Sequence, residues 1–292
     1  MIGRIAYLVM PVATVLLAIA VLWYSGALWL NHPFQLDTYE RADSEWTAGQ
    51  LVVDSLNQDR PVLPAPHQVL GELQRTVLEV SPTSRRSLVY HAWVTLSATL
   101  LGFALGTAFG IAIATAIVHV PSLDKSLMPW IVASQTIPIL AIAPMVVVVL
   151  GAVGLTGLVP KSLIAAYLAF FPIAVGVVKG LRSPEVMHLD LMHTYDATRT
   201  QVFWKLRWPS AVPFLFPAMR VAVAIALVGA IVAELPTGAS AGLGARLLSG
   251  SYFGQTLQIW SALVVAAILA GVLVSIVGGA NRLTLQAMGM RR

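Results

Sequence analysis

Long charge-free apolar runs alternate with short mixed stretches along this chain. No Asp, Glu, Lys or Arg occurs between Arg86 and Asp124, between Lys125 and Lys161, or between Arg246 and Arg282. Crossing a bilayer takes roughly 20 apolar residues of helix, so each run holds a span with loop attached. Read in order, the runs predict about six membrane helices, near residues 5–27, 90–118, 127–150, 161–180, 211–233 and 257–279. The fold class is therefore an all-α integral membrane protein. The first run carries Trp23, Tyr24 and Trp29 at its far end, as an interfacial aromatic belt would. It is longer than the roughly 7–15 apolar residues of a signal peptide. That predicts an uncleaved first helix in preference to a leader cut near Ser25-Gly26-Ala27.

The only long polar stretch covers about 31–88, with Asp37, Glu40, Arg41, Asp43, Glu45, Asp54, Asp59 and Arg60. Within it, PAPHQVL marks a helix start, and Val69, Leu70, Leu73, Val77, Leu78 and Val80 give a mainly apolar face at helical spacing. Span two places Gly102, Gly106 and Gly110 four residues apart. Small residues at that spacing let helix backbones approach closely in lipid, either inside the bundle or at a dimer seam.

Composition supports the membrane class. Hydrophobic residues make up 58% of the 292-residue chain and charged residues 11%, a balance no polar surface could cover. The chain has no cysteine, which excludes disulfides, thiolate metal sites and cysteine nucleophiles. His119, His188 and His193 lack metal-ligand spacing. The nearest approach to a phosphate loop is GLTGLVPKS, 154–162, where Pro160 stands in place of the glycine before Lys161-Ser162. Lys161 is simplest as an outer-face anchor. The net charge of +5 bears on orientation. With the N-terminus inside, Arg4, Lys125, Lys179, Arg182, Arg199, Lys205, Arg207, Arg282, Arg291 and Arg292 fall on the inner side. Arg41, Arg60, Arg75, Arg85, Arg86, Lys161 and Arg246 fall outside. The bias favours both termini in the cytoplasm.

Polar groups inside spans mark pathways or internal packing. Gln135 and Thr136 lie beside Pro138 and Pro144 in span three, and Tyr167 and Phe171 beside Phe170 and Pro172 in span four. Arg220 lies inside span five, facing a pathway or snorkelling toward the interface. Glu234 ends the same span ahead of the Gly- and Ser-rich PTGASAGLGARLLSGSYFG, where it is expected at the outer mouth as a gate or solute contact.

The stretch 183–209 is the anomaly, a charged and aromatic loop between two apolar spans. Ser183-Pro184-Glu185 reads as N-cap, first-turn proline and first-turn acid of a helix through VMHLDLMHT. Thr198 and Gln201 fit a capping box opening a second short helix. Val202, Phe203 and Leu206 share one face of it, and Trp208-Pro209 is expected to stop it, with Ser210 capping the next span. Asp196 sits at the join, where the chain turns and left-handed geometry suits Asp. A basic rim of Arg199, Lys205 and Arg207 completes an amphipathic helix–turn–helix, which docks on a partner or lies at lipid headgroups.

This loop resembles that of the permease subunits of bacterial binding-protein-dependent ATP-binding-cassette (ABC) importers of type I. Their pattern is Glu-Ala-Ala, three residues, Gly, nine residues, Ile-x-Leu-Pro. Asp190-Leu191-Met192 falls at the first triplet, Asp196 at the Gly, Leu206 at the Ile and Trp208-Pro209 at the Leu-Pro; only the Pro is kept outright. The flanking QVFWKLRWPSAVPFLFPAMRVA strengthens the likeness, which covers about Val89 to Leu283. It is strongest to the branch handling sulfonates, taurine, nitrate, and thiamine or riboflavin precursors. Beside a first helix at 1–30, an extracytoplasmic segment at 31–88 (longer over 31–66 than the family leads one to expect) and a tail at 284–292, the resemblance implies a permease core at 89–283 with its coupling loop at 183–209. It implies that Asp190, Met192, Tyr195, Asp196, Arg199, Val202, Phe203, Leu206, Arg207 and Pro209 couple to a separate ATPase subunit, which holds ATP and Mg. It further implies a bacterial inner-membrane permease working as a pair, a binding protein delivering a small organic solute, and no catalysis and no bound cofactor in this chain. On physics alone, an ATP-independent secondary transporter or channel, or a membrane scaffold, also fits the spans.

Overall fold

The computed structural model describes residues 2–236 and 239–289, with side chains from residue 10 onward. Thr237, Gly238, Arg291 and Arg292, and the side chain of Arg4, which figure in the expectations above, lie outside that description. All regular structure among the described residues is helical. Five helices are long and apolar enough to cross a membrane, and a sixth candidate is a pair of shorter helices bent by 100°. Residues 1–90 with 246–265 form one compact unit, and 91–245 with 266–292 form a second.

In the first unit, α1 (Ile2–Ala42) does not stop near residue 30 but continues through a proline. Pro33 cannot donate to the Trp29 carbonyl; that oxygen lies 2.9 Å from His32 Nδ1, which takes the proline's place. The start of the long polar stretch, after residue 30, is therefore a continuation of the first helix to Ala42, where Asp43 turns the chain at φ 46°. Thr47 and Gln50 then form a full capping box for α2 (Ala48–Leu56). Asn31 fixes the return. Fully buried, it donates to the Ser55 and Leu63 carbonyls and accepts from the Val62 and Leu63 amides, so all its amide groups are satisfied. The predicted helix start at Pro66 is observed in α3 (Pro66–Gln74), which widens into a π turn over Arg75–Glu79. The first turns of α12 (Thr256–Ala287) join this unit, with Trp260 against Trp23 at 4.9 Å and Thr256 donating to the Pro61 carbonyl.

In the second unit, α7 (Leu158–Leu181) is the buried centre. It lies against α4 (Leu88–His119) on one side and packs along α10 (Trp208–Glu234) on the other. The glycine column of α4 meets α7. A Cβ at Gly102 would lie 2.5 Å from the Ala165 Cβ, one at Gly106 2.8 Å from the Ala166 carbonyl, and one at Gly110 2.9 Å from the Ile173 side chain. The column thus serves internal packing. On the other side, a Cβ at Gly176 would meet Ala218 at 2.5 Å, and one at Gly180 would meet Ala211 at 2.7 Å. The core around this seam holds Ala169, Phe170, Ile173, Val177, Leu181, Ala222 and Ala226.

The expected third span, 127–150, is instead α5 (Pro121–Ser134) and α6 (Ile139–Ala152), the pair that bends by 100°. Pro138 has no N–H to continue the ladder, and its ring disfavours helical geometry at Ile137. A proline-bearing span need not break, as Pro172 within α7 shows, but here the break also exposes Gln135 and Thr136.

Because α4 and α7 touch through missing side chains, Gly106→Leu is expected to destabilise the purified protein by about 1–3 kcal/mol. Gly271→Ala, where an added Cβ meets nothing within 4 Å, is expected to change little. Thermal unfolding in detergent compares them.

Candidate functional site

The loop 183–209 forms the predicted helix–turn–helix, with its joints placed differently. Helix α8 spans Val186–Thr194, and its N-cap is Glu185 rather than Ser183. Ser183 is occupied elsewhere: its hydroxyl donates to the Gly180 carbonyl at 2.7 Å. The C-terminus of α8 is a Schellman closure. Ala197 N–H reaches the Met192 carbonyl and Asp196 N–H the His193 carbonyl, each at 3.0 Å. The residue between cap and closure must be left-handed, and Asp196 has φ 51°. The three residues between triplet and glycine in the loop pattern are thus the last two residues of α8 and its C-cap, Tyr195.

The Thr198–Gln201 capping box opens α9 (Arg199–Val202) as expected. Trp208-Pro209 does not stop it. The chain widens into a π turn, Phe203–Arg207, closed by the Trp208 N–H on the Phe203 carbonyl, and continues into α10 without interruption. A proline ring collides with the carbonyl four residues back in an ideal α-helix; the wider turn makes room for it. Ser210 accordingly caps nothing and donates back to Leu206.

The loop's two faces are also reversed from expectation. Phe203 packs into the protein's own core, its ring 5.3 Å from His119 and 6.1 Å from Trp208. Val202, Leu206, Met192 and Pro209 are half-buried. Arg207 is no rim charge: its Nη1 donates to the Leu181 carbonyl at 3.0 Å, closing the end of α7. Arg182 pairs with Asp124 of α5 at 2.9 Å. The exposed apolar stripe lies on α8 instead, at Met187 (75% exposed), Leu191 (52%) and Tyr195 (77%), with Trp204 also exposed. Asp190, Asp196, Arg199 and Lys205 are exposed around it. The i, i+4, i+8 spacing of Met187, Leu191 and Tyr195 was the available signal, outweighed by the more hydrophobic Val202-Phe203 run.

The candidate pathway residues do not converge. Tyr167 donates its hydroxyl to the Ser134 carbonyl at 2.6 Å and lines an otherwise apolar hollow of about 450 Å³ with Leu105, Phe109, Ile139, Val146 and Phe170. Gln135 and Thr136 sit at the exposed α5–α6 break, and Phe171 packs on the core. Arg220 is half-buried, with Nη2 3.4 Å from the Gly278 carbonyl of α12.

Glu234 and Lys161 correct two expectations together. Neither is at a solvated mouth. Glu234 is fully buried and Lys161 nearly so, paired at 3.2 Å. Thr95 of α4 donates to both carboxylate oxygens, and Gly244 N–H donates at 2.8 Å. Lys161 also donates to the Ala241 carbonyl, Leu243 N–H to Thr95 Oγ1 and Gly242 N–H to His91 Nδ1. The network pins α4, α7, α10 and the 241–244 backbone. Only glycine fits at 242, where φ is 128° and an added Cβ would fall 2.1 Å from the Glu234 carboxyl carbon. A carboxylate in an apolar span was legible as an exception to burial; that its partner was the lysine 73 positions earlier was not.

The second unit is thus a helical membrane bundle with a well-anchored helix–turn–helix that carries an exposed apolar stripe. Residues 106–288 match the family described as "Binding-protein-dependent transport system inner membrane component", and the chain belongs to that family. It is 33% identical over 183 residues, 63% of this chain and 68% of the relative, to the formylaminopyrimidine transport permease protein ThiX of Halalkalibacterium halodurans. It is 32% identical to the riboflavin transport system permease protein RibX of Chloroflexus aurantiacus over 222 residues, 76% of this chain and 79% of that one. With the taurine transport system permease protein TauC of Escherichia coli, identity is 28% over 209 residues, 71% and 74% of the two chains. The chain is thus a multi-pass inner-membrane permease subunit of an ABC importer, non-catalytic itself, in a system that includes an ATPase and a binding protein. The ATP-independent and scaffold alternatives fall with that membership.

Two stability outcomes follow from the site's geometry. Lys161→Met strands a buried carboxylate and is expected to cost about 3–5 kcal/mol, with Glu234→Gln on the same background recovering part of it. Asp196→Gly is expected to be neutral or slightly stabilising, whereas Asp196→Val costs about 1–2 kcal/mol for the left-handed turn. Unfolding temperatures in detergent measure both.

Proposed function

We propose that this permease engages its ATPase subunit through the exposed stripe of α8, Met187, Leu191 and Tyr195, with Trp204, Asp190, Asp196 and Arg199 around it. The single observation behind the reading is that these apolar side chains stand free on a loop whose base is held by Arg207, Ser183 and the core packing of Phe203. An exposed apolar patch on an otherwise anchored element marks an interaction surface. Val202, Phe203, Leu206 and Pro209 then support the contact from behind. ATP-driven closure of two ATPase subunits carries the loops of two permease copies, most simply a homodimer, and both termini face the cytoplasm.

The solute is a small organic molecule of the kind its relatives are named for: a formylaminopyrimidine, riboflavin, or a sulfonate such as taurine. The apolar hollow beside Tyr167 suits the flat or aliphatic part of such a molecule.

Co-expression with the ATPase subunit and size-exclusion chromatography test the docking. Leu191→Asp places a carboxylate in a desolvated contact and is expected to abolish co-elution, a loss of about 3 kcal/mol or more, without lowering the permease's own unfolding temperature. Phe203→Asp is expected to lower that temperature. Co-elution retained in both Leu191→Asp and Met187→Asp would place the contact elsewhere.

A further inference from the structure

A cavity of about 530 Å³ in the first unit gathers four guanidinium groups from separate stretches of chain. Arg60 follows α2, Arg75 lies in the π turn after α3, Arg86 precedes α4, and Arg246 comes from α11 (Leu243–Tyr252). Only Asp59 and Glu72 oppose them in the wall, and Glu72 already pairs with Arg75 at 2.7 Å. Arg246 is the least satisfied group. Its Nη2 reaches the Arg86 carbonyl at 3.4 Å, while its buried Nε has no hydrogen-bond partner. Burial pushes this guanidinium below its usual range; the Glu72 carboxylate opposes that shift and the neighbouring Arg75 adds to it. Four guanidinium groups facing two carboxylates, one of them already paired, leave the cavity with an excess of positive charge that an anion would balance.

The wall that carries Arg246 is fixed before any ligand arrives. Gln258 Nε2 donates to the Arg246 carbonyl at 3.0 Å and to Ser249 Oγ at 2.7 Å. Thr256 is tied to Pro61 across the cavity's floor at 2.5 Å. The volume falls within the roughly 300–1,000 Å³ of small-ligand pockets, and a concave site of this size is unlike the broad face of about 800 Å² that a docked protein covers. The residues from Asp59 to Arg86 precede the stretch that matches the family.

We infer that this cavity binds a small organic oxyanion (a sulfonate, carboxylate or phosphate ester), held chiefly by Arg246 and Arg75, with Arg60 and Arg86 completing the ring. Guanidinium groups suit it because their planar N–H pairs match oxyanion geometry. The site goes beyond the coupling reading and does not depend on it: the ATPase co-elution above is blind to this cavity.

The experiment is calorimetric titration of the detergent-purified full chain with ethanesulfonate, using ethyl methyl sulfone as the uncharged control. Saturable ethanesulfonate binding at or below about 1 mM, with none for the sulfone, is the expected result. Arg246→Gln and Arg75→Gln should each weaken it at least ~tenfold, while Arg282→Gln, which is not one of the lining residues, should not. If either cavity variant loses its unfolding transition, Arg60→Gln on the exposed rim provides the readout, expected at about threefold weaker. Unchanged affinity in the folded arginine variants, equal binding of the sulfone, or no saturable binding overturns the proposal. So does a requirement for these arginines in capturing a purified binding protein when ethanesulfonate does not bind.

Discussion

How closely helices can approach α7 governs the second unit. In lipid, apolar side chains gain little by meeting each other, so association relies on van der Waals contact and hydrogen bonding between backbones brought near. Gly102, Gly106 and Gly110 on α4 bring that helix against Ala165, Ala166, Ala169 and Ile173, while Gly176 and Gly180 of α7 receive Ala218 and Ala211 of α10. α7 is thereby clasped from both sides. At Gly229 of α10 an added Cβ would lie 3.0 Å from the Ala165 backbone, so the two contacts converge on one turn of α7.

That closeness makes the buried ion pair possible. Lys161 stands one turn before Ala165, and Glu234 little more than one turn beyond Gly229, so helix packing alone brings the charges together. An isolated carboxylate there would be costly. With Lys161, Thr95 and the Gly244 amide around it, the group becomes a staple holding the 241–244 backbone. Replacing such a pair by apolar residues is often neutral in other proteins. Here the carboxylate also serves a backbone N–H and a hydroxyl that would otherwise go without an acceptor.

Much of this was legible in the sequence because the bilayer imposes it. Apolar runs of bilayer length located the long helices, and the glycine spacing located the α4 seam, since both signals are local and periodic. The Asp196 turn and the Thr198 capping box were legible for the same reason. What escaped was non-local or cooperative. The continuation of α1 depends on His32 serving the carbonyl that Pro33 abandons, and the passage of the helix through Pro209 depends on a widened turn five residues long. Pro209 reads as a terminator until the geometry that accommodates it is seen. The facing of Phe203 is not legible locally, because hydrophobicity says that a side chain is covered, not by which partner, and His119, 84 positions away, lies against it. Lys161 and Glu234 lie 73 positions apart, and each by its own stretch of sequence looks like a surface group.

The uninterrupted path from α9 into α10 has a mechanical consequence. Had Pro209 ended a helix, the loop and span would be joined by a flexible link, and a displacement of α8 would dissipate there. Instead α9, the π turn and α10 form one helical run from Arg199 to Glu234, tied at its near end to α7 by Arg207 on the Leu181 carbonyl and at its far end by Glu234 on Lys161. Two packed helices pinned at both ends move as a body more readily than they slide, because sliding would have to break the close Gly–Ala contacts along the seam. A shift imposed on the loop therefore reaches the 241–244 backbone through rigid elements and hydrogen bonds, over the full length of α10. The π turn is the compliant point in that path, since its wider ring holds its hydrogen bonds less favourably than an α turn, and it lies where loop becomes span.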